Sequence, residues 1–187
     1  MKKLYNNGYV VKGIYKDKFS STAPEYRGIE CYPSWPLSEY SDDRSKKLQD
    51  EIWNRWFAYQ DILELVPTRD FLSRYIKHCE QLNIPTTILQ IETPNNYQLA
   101  VDQLNEVELL GYDCIAGVNL SYLNLEPGYF EKYFGAIYYN LNDNKLCKTL
   151  NDVYVFWDRY YQLLMAGENL EIGPSPIPAR LSIVKLD

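Results

Sequence analysis

The chain has 187 residues, of which 46% are hydrophobic and 24% charged. That size and balance suit a single globular domain and exclude a disordered chain, a collagenous chain and a disulfide scaffold. With 19 basic and 25 acidic side chains the formal net charge is −6, which argues against nucleic acid or an anionic membrane as partner and favours a basic protein.

No run approaches the ~18 uninterrupted apolar residues needed to cross a bilayer. Met1–Asn7 carries two lysines with no apolar stretch behind them, unlike a secretory signal, so a cytoplasmic protein is expected. Residues Tyr9–Tyr15 are rich in β-formers and predict a first strand. Residues 16–40 contain Pro24, Pro33 and Pro36, show no periodicity and predict a long aromatic loop, the kind of loop that usually carries function. Ser41-Asp42-Asp43 opens a helix, with acids at the positive end of its dipole. Its apolar stripe, Leu48, Ile52, Trp56, Tyr59, Leu63 and Val66, keeps helical spacing until Pro67 stops it. Thr68 is placed to cap a second helix in which Leu72, Tyr75, Ile76, Cys79 and Leu82 share a face, with His78 at its edge and Asn83 closing it.

Thr86–Ile91 is a β-branched run read as a buried strand, followed by a turn at Glu92–Asn95. A third helix is predicted from Asn96, with Tyr97, Ala100, Val101, Leu104, Val107 and Leu110 on its apolar side and Gly111 at its C-terminal stop. Tyr112–Leu120 is the next predicted strand. Strand, helix and strand with short connections imply a βαβ unit over 86–120 with two parallel strands. Beyond it come a short helical piece at Tyr129–Phe134, a strand at 136–140, a turn at Asn142–Lys145 and a fourth helix from Asn151 to about Gly167. A proline-rich connector at 173–178, unable to form a helix or a central strand, leads to a last strand at Arg180–Leu186. The expected architecture is a single α/β domain spanning 1–187, with a mixed sheet of about four or five strands and flanking helices.

Chemical motifs are sparse. Cys31, Cys79, Cys114 and Cys147 have no paired short spacing and share the chain with one histidine, His78, so neither a zinc site nor any cofactor is indicated and free thiols are expected. Glycine-rich phosphate loops and the Gly-x-Ser-x-Gly elbow are absent. His78 and Cys79, as helix neighbours, point about 100° apart and cannot form a dyad. Glu92 and Asn119 end the two predicted parallel strands, at the sheet edge where α/β proteins place ligands. They define an alternative reading, an enzyme of unrecognised type. A third reading is a homo-oligomeric structural or adaptor protein associating through the aromatic loop from Tyr26 to Trp35.

Charge is unevenly placed. His78–Glu131 holds eight acidic residues and no lysine or arginine, −8 over 54 residues, while the flanking parts sum to +2 and 0. Asp102, Glu106 and Glu108 fall on the outer side of the predicted third helix, opposite its apolar stripe. Either they form a solvated acidic face or they dock a basic protein, because clustered charge speeds encounter and selects the partner. Tyrosine is abundant, at 18 residues, and either lines the core boundary or supplies stiff recognition surface.

A small acidic, tyrosine-rich chain without catalytic motifs resembles the bacterial immunity proteins that block toxic effector domains. The resemblance is one of overall character and carries no residue over. It implies a toxin inhibitor rather than an enzyme, with Asp102, Glu106, Glu108 and Asp113 meeting a partner's cations beside Tyr97 and Tyr112.

Overall fold

A computed structural model describes residues 3–13, 35–38, 40–58, 65–96, 100–116, 119–120, 147–155 and 177–187. Its elements run β1 (Tyr5–Gly13), α1 (Asp43–Ala58), α2 (Arg69–Gln81), β2 (Thr86–Thr93), β3 (Asn105–Ala116), β4 (Asn119–Leu120) and β5 (Ile177–Lys185). The strands form one sheet in the order β1-β2-β5-β3-β4. With the helices beside it, this is the expected mixture of α and β structure around one sheet.

The strand directions differ from the sequence reading. Every pairing among the described strands is antiparallel, so over the described residues the sheet is not mixed and 86–120 is not a βαβ unit. β2 and β3 do run in the same direction, but β5 lies between them and pairs with both. The predicted third helix is replaced by strand from Asn105 onward. Two bulges shift the β3–β5 register between Glu106 and Glu108 and between Leu109 and Gly111, the stretch that holds Val107 and Leu110 of the predicted stripe. Each adds a residue to β3 and breaks the period of two. Gly111, expected as a helix stop, instead takes φ +145° at the second bulge, a conformation glycine adopts without steric cost.

β1 carries its own irregularity between Asn6 and Tyr9. Gly8 sits there at φ +126°, and a Cβ at this position would lie 3.1 Å from Leu65 Cβ and 3.2 Å from the Val66 carbonyl oxygen. The close approach lets Tyr9 and Val66 exchange backbone hydrogen bonds of 3.0 and 2.9 Å, an isolated bridge on the outer edge of β1. Val66 is therefore a β-bridge residue, not the last member of the first helix, which is helical to Ala58. Leu48 and Ile52 are buried as its stripe predicts; Trp56, Tyr59 and Leu63 lie outside the described side chains.

In α2 the buried face is Phe71, Leu72, Tyr75, His78 and Cys79. Trp35, itself buried, packs edge-on against Phe71 and Tyr75 at centroid distances of 5.9 and 4.9 Å, and the Tyr75 hydroxyl accepts the Leu37 N–H at 2.8 Å. Trp35 thus belongs to the core rather than to an exposed aromatic interface; Tyr26 and the rest of 16–34 lie outside the described residues. These side chains join Tyr9, Val11, Leu89, Ile91, Leu181 and Val184 in one hydrophobic core.

Residues 150–155 are helical, and the cap is Thr149, not Asn151. Its hydroxyl accepts the Asp152 N–H at 3.2 Å, while the Asp152 carboxylate accepts the Thr149 N–H at 3.0 Å, a reciprocal capping box. β5 begins at Ile177 and includes Pro178, so the proline-rich connector ends earlier than expected. Pro178 faces only Cys114 of β3; the pairing with β2 starts at Arg180, so the missing N–H costs no ladder bond on that side. The expected features at 129–134, 136–140 and 142–145 lie outside the described residues.

Candidate functional site

Three charged side chains from adjacent strands meet across the sheet. Glu92 of β2 is directly opposite Arg180 of β5, and Glu106 lies on β3, the other neighbour of β5. The Arg180 guanidinium bonds to the Glu92 carboxylate through one nitrogen and reaches Glu106 at 2.7 and 3.0 Å. Arg180 and Glu92 are about one-fifth exposed and Glu106 two-fifths. Hydrogen bonding from Arg180 holds the Glu106 carboxyl below the usual glutamate value, against a smaller opposing effect of partial burial. Burial alone would lower the pKa of Arg180, but its bonds to Glu106 and Glu92 reverse that and raise it. The cation stays charged and binds three strands together.

The alternative reading named Glu92 and Asn119. The two residues sit on β2 and β4, three strand spacings apart, roughly 14 Å. The Glu92 carboxylate is occupied by Arg180. Among the described residues no group of three or more His, Cys, Asp or Glu side chains is placed to hold a metal.

Asp102 lies in the segment leading into β3. Its carboxylate accepts the backbone N–H of Arg69 at 2.8 Å, and its own N–H donates to the Pro67 carbonyl at 2.9 Å. Thr68 makes no side-chain cap, so Asp102 supplies from a distant segment what the sequence reading assigned to Thr68. Tyr9 fixes the same segment: its hydroxyl donates to the Asp102 carbonyl at 2.6 Å and accepts the Leu104 N–H at 3.2 Å. The Arg69 side chain adds a bond to the Gln103 carbonyl and an ion pair with Asp187 at 3.6 Å.

The proposed acidic face is therefore divided. Asp102 caps a helix, and Glu106 is held by Arg180. Glu108 lies on β3 opposite Ile183, and Tyr112, partly buried, lies opposite Arg180 with its backbone bridged to Cys147. Asp113 occupies a β3 position opposite Ala179, with its side chain outside the described residues, as is Tyr97. None of these acids projects from a helix. What the strand does expose is Val107 and Leu109, 49% and 45% accessible, in alternation with Glu106 and Glu108.

Comparison with known proteins finds no matching family, no matching curated protein and no matching solved structure.

A second polar cluster, unsuspected from the sequence, joins the start of α1 to the end of α2. Asp42 Oδ1 accepts the backbone N–H groups of Arg44 and Ser45 at 3.1 and 3.0 Å, and the Ser45 hydroxyl donates to Asp42 Oδ2 at 2.5 Å. His78 Nε2 lies 3.0 Å from Ser45 Oγ and 3.3 Å from Asp42 Oδ1. The residue types are those of a hydrolase triad, but their roles are not. A triad carboxylate orients the ring nitrogen remote from the serine; here Asp42 sits beside the same nitrogen and itself accepts the hydrogen bond from the serine hydroxyl. Ser45 is fully buried and His78 nearly so. The cluster is an elaborated helix cap. Hydrogen bonds from Ser45, first the hydroxyl and then the backbone, lower the Asp42 pKa to about 2. The detectable signal was Asp42-x-x-Ser45, a cap followed by a polar residue one turn on.

Cys79 is a free thiol, as expected, and lies on the buried face of α2. Burial pushes its thiol up to about 12, so it is not a thiolate nucleophile at neutral pH.

Proposed function

We propose that this chain is a binding protein that neutralises a basic protein partner, as the resemblance to immunity proteins implies, with its contact surface on the N-terminal half of β3. The observation that carries this reading is the exposure of Val107 and Leu109 on either side of half-buried Glu108, next to exposed Glu106. Two large apolar side chains stand in solvent on a strand whose intervening residues are acidic, inside a 54-residue stretch without a lysine or arginine. Apolar anchors ringed by charge suit an interface that gains affinity from burial and selectivity from electrostatics. Asp102 and Glu106 act in this proposal as internal braces. Val107, Glu108 and Leu109 make the contact, with Tyr112 beside them.

Affinity capture from the native cell at 0.05 and 0.5 M salt tests it, with the unaltered chain and Leu109→Lys in parallel. A basic protein should be retained by the unaltered chain at low salt, released at high salt and not retained by the variant. Recovery of no basic protein, or retention indifferent to both salt and Leu109→Lys, refutes the proposal.

A further inference from the structure

The chain has one histidine, and it sits in the joint between α1 and α2. Free imidazole changes charge near pH 6.5, at about the middle of the physiological range, where other ordinary side chains keep theirs. The surroundings of His78 dictate where its protons go. The Asp42 carboxyl, lowered to about 2 by its bonds from Ser45, is ionised and has no proton to give. The Ser45 hydroxyl donates its own to Asp42 Oδ2. Ser45 Oγ and Asp42 Oδ1, at 3.0 and 3.3 Å from His78 Nε2, can therefore only accept, and Nε2 carries a hydrogen.

The other ring nitrogen is constrained as well. The Arg44 guanidinium, a donor only, bonds to Gln81 Oε1 at 3.0 Å, which fixes the orientation of that amide. The same oxygen lies 3.4 Å from His78 Nδ1. With a bare Nδ1 two lone pairs face each other; with a hydrogen on Nδ1 the contact becomes attractive. Both nitrogens thus meet acceptors, which is the environment of an imidazolium. His78 also lies in the last turn of α2, where the helix dipole favours a cation. Burial of the ring opposes the charge, and the Asp42 carboxylate beside it offsets that cost. The charged groups bonded into the joint are Asp42, against the ring, and Arg44, on the far side of Gln81. Asp43 and Lys46 of α1 and Lys77 and Glu80 of α2 are exposed, and Cys79 is a neutral thiol.

We infer that His78 is a single-proton pH switch at the joint of α1 and α2. With Nδ1 protonated, the ring ties Asp42 and Ser45 to Gln81 and clasps the two helices; with Nδ1 bare, only the Nε2 bonds remain and the clasp loosens. The inference stands apart from the proposed partner. Acid favours the clasped form, because the folded joint offers the charged ring a carboxylate that the open chain lacks, and the gain fades as pH rises through the histidine range.

The test uses the full chain. Amide exchange at Ser45 and Lys46, corrected for the intrinsic effect of pH, reports opening of the first turn of α1, since both amides bond to Asp42. Their protection should be at least fivefold greater at pH 5.5 than at pH 8. Ring nitrogen shifts read by NMR should show both nitrogens protonated at pH 5.5 and Nε2 alone at pH 8. In His78→Gln the pH dependence of protection should shrink to less than twofold. Two further variants keep the ring in place should His78→Gln fail to fold. Gln81→Met removes the acceptor at Nδ1, and Asp42→Asn removes the charge while retaining a capping side chain. Each should at least halve the ratio between the two pH values. Equal protection at both pH values, a proton on Nδ1 rather than Nε2 at pH 8, or a ratio unchanged in the variants overturns the inference.

Discussion

Replacing Arg180 with methionine removes the cation that joins β2, β5 and β3 while keeping much of the arginine stem's volume. The Glu92 contact, with both side chains about one-fifth exposed, falls between exposed pairs, at about 0–1 kcal/mol, and buried ones, whose disruption costs about 3–5 kcal/mol. A loss of about 2 kcal/mol is expected for that arm. The Glu106 arm, with its carboxylate two-fifths exposed, adds about 0.5 kcal/mol after screening by solvent. Arg180→Met is therefore expected to lose about 2.5 kcal/mol at pH 7, which moves a urea midpoint by about 1 M for a slope near 2 kcal/mol/M. The pH dependence separates charge from packing. Glu106 has a lowered pKa in the folded chain, so its stabilising contribution is present above its unfolded value near 4.5 and fades as pH falls through the lower folded value. Urea titrations followed by tryptophan fluorescence at pH 7 and pH 3.5 should show the gap between parent and variant narrowing in acid. An equal gap at both pH values would assign the loss to packing and refute the electrostatic account; no gap at pH 7 would mean that the three-strand bridge contributes nothing.

Asp102→Ala removes the carboxylate that caps α2 from outside and should cost about 1 kcal/mol, with faster amide exchange at Arg69 and Asp70 as its local signature. Ser45→Ala should raise the Asp42 pKa from about 2 toward its ordinary 3.8, measurable by carboxyl NMR titration. In the parent chain, the stabilisation that Asp42 contributes is complete above its unfolded value near 3.8 and lost on acidification through about 2; in Ser45→Ala this window should close. Cys79, with its thiol pushed up to about 12 and buried, should resist iodoacetamide at pH 8 in the folded chain and react on addition of urea, as mass spectrometry of its peptide would record. Rapid labelling without denaturant would contradict its burial.

The elements legible in the sequence are those whose local pattern and tertiary role coincide. Leu72, Tyr75 and Cys79 keep helical spacing because one face of α2 meets the core, and Ile88, Leu89 and Ile91 are apolar because β2 is an interior strand. The failure at 96–111 has a definite cause. Val101, Leu104 and Val107 fit a helical step, but the alternation Glu106-Val107-Glu108-Leu109 is a strand signal, and β3 contains it. The bulges hid the longer period, and the exposure of Val107 and Leu109 left no buried face to betray it. With the helix gone, the acidic side assigned to it went too. That Arg180 reaches Glu92 and Glu106, and that Asp102 caps α2, depends on which strands become neighbours, information spread over contacts 33 to 88 residues apart. The Asp42–Ser45 cap was local and readable; the approach of His78 from α2 was not.

The position of β5 has a consequence for how the molecule comes to exist. Its residues are the last of the sheet to leave the ribosome, yet they occupy the middle. Until they arrive, β2 and β3 cannot be joined, and a slot about 10 Å wide separates the two halves. Hydrophobic groups of Leu89 and Ile91 then lack Leu181 and Ile183, their cross-strand neighbours. Closure of the sheet is therefore a keystone event, waiting on the last of its strands to fill the central seam.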